Sequence, residues 1–216
     1  MKRWAVVVAV LYGLMLGILL PSGYLLAFAP QAEFSQVAET CRHWQWWLAL
    51  AVMGLGQFAL LAVPVQVANR RPFSRLPLAL TVLTAALMLG GLAFGAFCSL
   101  YEFGWHDQGG RWLIRTALAL GLGAWGAWAV IFFRLSQRAE PADFVSRLCR
   151  CLLRGSILEL LIAVPTHIVA RCRDYCCAGF MTFIGLTLGV SVMLFSFGPG
   201  VLFLFVARWR RLHPGQ

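Results

Sequence analysis

Chemically, the most suggestive residues in this chain are Glu159, Thr166 and His167, set in the apolar stretch after Gly155. Ionisable groups at membrane depth are costly and tend to mark a buried pair or a polar site. On a helix, Glu159, Ala163, Thr166 and His167 fall near one side, with Ser156 one turn before Glu159. Eight residues separate Glu159 from His167, which is two turns and roughly 12 Å along the axis. They are not expected to touch. Each needs a partner elsewhere, such as Arg154 or Arg171, or a shared water-filled cleft. Pro165 adds an acceptor by releasing the Leu161 carbonyl from its helical bond. The chemistry on offer is proton or cation movement. The competing interpretation is a satisfied network holding a short helix between two Arg-flanked ends.

Seven cysteines and two outer histidines are the other candidates. Cys41 precedes one apolar run and Cys98 closes the next, so a disulfide between them is expected if that face is oxidising. A redox-active pair is the sharper alternative, but there is no Cys-x-x-Cys unit to support it. Cys149, Cys151, Cys172, Cys176 and Cys177 form a denser set with ligands suited to soft metals. Their spacings match no standard zinc or ferredoxin pattern, and membrane helices also use cysteine as a small apolar residue. His43 and His106, with Glu102 and Asp107 near them, are candidate metal or haem ligands on the same outer side. The segment Tyr101 to Arg111 is the candidate outer contact loop. No Walker loop, dinucleotide fingerprint, nucleophile elbow or haem-attachment motif is present, so no cofactor is named and enzyme chemistry is not expected.

These groups must be positioned by helices in lipid. The 216 residues are 61% hydrophobic and only 12% charged, too little charge to cover a water-soluble domain. The net charge of +10 comes mostly from arginines between apolar runs, a pattern that orients helices and is not a nucleic-acid footprint. An all-α, polytopic bundle of one domain is expected. Its six spans are Ala5 to Ala27, Trp46 to Ala68, Leu76 to Leu100, Trp112 to Phe133, Leu152 to Ala170 and Ala178 to Ala207. The first run is too long for an ordinary signal core, so its retention as a helix is expected.

Lys2, Arg3, Arg70, Arg71, Arg75, Arg134, Arg138, Arg147, Arg150 and Arg154 fall on one side, which is expected to be cytoplasmic with both termini. The alternative makes residues 155–170 re-entrant or interfacial, and it alone gathers the five late cysteines. Gly198-Pro199-Gly200 is expected to bend or break the last run. The stretch Arg134 to Cys151 is read as extramembrane, with at most a small amphipathic helix. Gly13 with Gly17, Gly91 with Gly95, and Gly185 with Gly189 have the spacing that lets helices approach closely in lipid. Three functions follow. The first is a non-catalytic subunit or assembly factor, partnered by other membrane proteins in a bacterial inner membrane. The others are a small proton- or cation-coupled transporter or channel using Glu159 and His167, and a thiol- or metal-dependent membrane redox protein.

Overall fold

The computed structural model describes residues 2–28, 42, 44–68, 75–105, 111–138, 140–173 and 179–212. Of these, 97% are helical and none lies in a strand, which fixes the all-α class. The helices are α1 (Lys2–Phe28), α2 (Trp44–Ala68), α3 (Arg75–Trp105), α4 (Arg111–Arg138), α5 (Pro141–Arg171) and α6 (Phe180–Leu212). Within them, Arg75–Gly104, Arg115–Arg138, Asp143–Arg171 and Phe180–Trp209 are each long and apolar enough to cross a membrane. Arg3–Leu19 and Leu50–Val65 are shorter apolar stretches. In lipid the backbone must satisfy its own polar groups, which a continuous helix does.

The helices run farther than the sequence suggests. The stretch Arg134 to Cys151 holds more than a small amphipathic helix, because α4 runs on to Arg138 and α5 begins at Pro141. Pro141 opens that helix, where its missing N–H costs nothing, and Asp143 favours the first turn. The whole of α5 is one continuous helix of 31 residues, with residues 155–170 in its second half. The last helix runs for 33 residues through Pro199, so Gly198-Pro199-Gly200 does not break it.

Helices adjacent in sequence run antiparallel. Thr81 of α3 donates to the Ala59 carbonyl of α2 at 2.9 Å, and Trp125 of α4 donates to the Leu83 carbonyl of α3 at 3.1 Å. Trp4 of α1 stacks on Phe205 of α6, while Tyr12 reaches the Ser191 carbonyl at 3.2 Å, so α1 and α6 are also antiparallel. Helix α3 packs against α2, α4, α5 and α6, and α6 against α1, α2, α3 and α5. These two form the centre. Helix α4 packs chiefly on α3, anchored by the fully buried Phe132.

Lipid tails are as apolar as leucine, so close packing rather than water exclusion holds such helices together. Small residues set the approach. A Cβ on Gly90 would lie 2.8 Å from the Gly121 carbonyl of α4, and one on Gly155 would lie 2.8 Å from Leu89. Gly13 and Gly17 do not act this way, for no described residue lies within 4 Å of the Cβ position at either.

Candidate functional site

Glu159 lies in α5, about 18 Å along the axis from Arg171 and about 27 Å from Pro141 at 1.5 Å per residue. It is 3% exposed. Its carboxyl group enters the junction where Gly95 of α3 meets Gly185 of α6. A Cβ on Gly95 would sit 3.1 Å from the Cα of Gly185 and 3.2 Å from Glu159 Oε1. One on Gly185 would collide with Ser99 Oγ and lie 2.8 Å from Glu159 Oε1 and 2.9 Å from the Gly95 carbonyl. One on Gly189 would overlap Glu159 Oε2 and press on Leu160. Gly91, by contrast, has only Leu188 in ordinary contact, at 3.9 Å. The three glycines Gly95, Gly185 and Gly189 thus make room for a carboxyl group, in addition to letting two helices meet.

The neighbouring hydroxyls are spent within their own helices. Ser99 donates to Gly95 at 3.0 Å, Ser156 to Leu152 at 2.9 Å, and Thr166 to Ile162 at 2.7 Å. Both carboxyl oxygens of Glu159 therefore lack a hydrogen-bond partner among the described residues. Arg154 is exposed. Gln57 of α2 shares this condition: it is fully buried, neither amide atom has a partner among the described residues, and it packs against Gly198 of α6. A lone amide inside an otherwise apolar run is the only sequence sign of it.

His167 belongs to a different level. Its Nδ1 lies 2.8 Å from Thr182 Oγ1, and that hydroxyl donates to the Gly179 carbonyl at 3.0 Å. Glu102, placed by sequence beside a candidate metal, instead caps the start of α6. It accepts from the backbone N–H groups of Gly179, at 2.5 Å, and Thr182, at 2.8 Å. A carboxylate here matches the positive end of the helix dipole. Arg173 donates to the carbonyls of Glu102 at 2.7 Å and Phe103 at 2.6 Å, which closes the end of α3. Its guanidinium lies 5.9 Å from the Phe103 ring centre. Gly179 has φ +94°, the left-handed region that favours glycine, and a side chain there would crowd Arg171 and His167. Residues Tyr101 to Trp105 are thus helix rather than loop, and Glu102 is a buried cap.

The expected stripe is therefore divided among Glu159 in the middle of α5, Thr166 bonded within its own helix, and His167 in the cluster where α6 begins. The thiols divide too. Cys98 is buried and free, and Cys149 and Cys151 are half-buried and free near the start of α5. Cys172 is exposed just beyond the other end, 23 residues after Cys149, or roughly 35 Å at helical rise. That separation keeps Cys149 and Cys151 from sharing one ion with Cys172. Cys41, Cys176, Cys177, His43, His106 and Asp107 lie outside the described residues. Among those described, no three His, Cys, Asp or Glu side chains converge as a metal site. No protein-family model, curated protein or solved structure matches this chain.

Proposed function

We propose that this chain is a small proton- or cation-coupled transporter or channel, in which Glu159 takes up and releases the coupling ion. The reading rests on one observation: a carboxyl group buried at the junction of α3, α5 and α6 without a hydrogen-bond partner among the described residues. An isolated ionised group costs about 3 kcal/mol at mid-membrane on insertion scales. A proton, a cation or an entering water supplies what the site lacks. His167 and Thr182 lie toward the outer end, where ions would arrive. In this scheme all six helices cross, both termini face the cytoplasm of a bacterial cell, and the arginine-rich end is internal. The alternation of helix directions favours that count.

Reconstituted vesicles with an imposed proton or sodium gradient test the reading. Wild-type protein is expected to pass the ion, and E159Q to lose most of that flux. Equal flux in the two defeats it. A second reading, a subunit or assembly factor of a membrane complex, is favoured by an open apolar groove of about 480 Å³ between α2 and α4. Leu48 and Val52 line it from α2, Leu118 and Leu122 from α4, with Gly91 and Phe94 of α3 between them. Stable co-purification with another membrane protein, without ion flux, would select this alternative.

A further inference from the structure

We propose that the cleft between the first half of α5 and the last third of α6 binds an anionic phospholipid. Its phosphate would meet Arg147, Arg150 and Arg154, with one acyl chain lying in the cleft. The cleft measures about 350 Å³ and is lined by Ser146, Arg150, Leu153, Phe197, Pro199 and Phe203, among others. Helix α6 presents Pro199 and Gly200 to it, and no described residue lies within 4 Å of where a Gly200 side chain would begin.

The charges select the occupant. Arg147, Arg150 and Arg154 repeat at helical spacing along one face of α5, and all three are exposed. Arg150 uses Nε on the Ser146 carbonyl at 3.4 Å, which leaves its two terminal nitrogens to bind an anion. Asp143 is the nearest acidic residue in sequence, one turn before Arg147. Helix α5 is about 46 Å long, against a hydrocarbon core of about 30 Å. With Glu159 at mid-membrane, as the proposed function has it, and about 27 Å from Pro141, the first turns of α5 stand at headgroup level, with the cleft opening toward the acyl region beside them. Arg208, Trp209 and Arg211 close α6 at the same end and are likewise exposed. A cation cluster above an apolar cleft matches a lipid carrying a negative headgroup.

Native mass spectrometry of the detergent-solubilised chain tests this, using phosphatidylglycerol and phosphatidylcholine of equal chain length. Wild type is expected to retain phosphatidylglycerol selectively, with each Arg→Gln change among the three weakening it about fivefold. Gly200→Leu fills the cleft without altering charge and is expected to reduce retention of both lipids. The single variant R150Q serves if the three changes combined do not fold. Equal retention of the two lipids, retention unaffected by R150Q and by G200L, or full displacement by inorganic phosphate would each overturn the proposal.

Discussion

The carboxyl group of Glu159 occupies the space that a side chain at Gly189 would fill. A substitution at either residue therefore acts on the other. Gly189→Ala is expected to destabilise the protein by about 1–3 kcal/mol through overpacking. Part of that loss should vanish in an E159A background, a non-additivity that thermal unfolding of the single and double variants would reveal. Gly13→Ala, with open space around it, should change stability by less than about 1 kcal/mol. Equal losses at the two glycines would refute the difference in packing.

Glu159→Gln preserves shape and removes the titrating group. It is expected to fold with a thermal midpoint no lower than wild type while losing ion flux. Loss of fold and flux together would point to a structural role for the carboxyl group.

Glu102→Ala strips the cap from α6 and leaves the N–H groups of Gly179 and Thr182 without their acceptor. A cost of about 1–2 kcal/mol is expected, with faster hydrogen exchange at those two amides. E102Q keeps an acceptor oxygen and should fall between. Unchanged exchange in E102A would show that the cap contributes nothing.

Gln57→Met removes a buried amide without a partner among the described residues and keeps similar length. Stability is expected to stay level or rise by about 1–2 kcal/mol. A clear loss would mean that the amide is satisfied by a group or water beyond the described residues.

Cys172 is exposed at the far end of α5 from Arg138. In a background otherwise free of cysteine, an impermeant maleimide is expected to reach Cys172 only from outside. A cysteine replacing Arg138 is expected to react only from inside. Labelling of both from one side would overturn the six-crossing scheme.

Much of this architecture is legible in sequence because long apolar runs have one main solution in lipid, a helix. The boundaries are less so. Arg134, Arg138, Arg147 and Arg150 suggest an aqueous loop, yet long cationic side chains sit comfortably on helices that extend beyond the hydrocarbon. Pro199 suggests a break, whereas neighbouring helices stabilise a run through proline. The glycine spacing at Gly185 and Gly189 announces a close approach. It does not announce that a third helix inserts a carboxyl group there, because that depends on the relative rotation of α5, which no local pattern encodes. Glu102 is obscure for a similar reason: its partners, Gly179 and Thr182, lie more than seventy residues away.

Helix α6 packs against α1, α2, α3 and α5 and follows them all in the chain. Until it arrives, Tyr12 lacks its acceptor, Glu102 has no helix to cap, and Glu159 has only Gly95 of the three glycines beside it. In the six-crossing scheme the earlier helices would enter the bilayer one after another and gain these contacts only when α6 follows. Quality control that samples nascent membrane chains would meet an exposed acidic group during that interval, and a covered one after the final helix has docked.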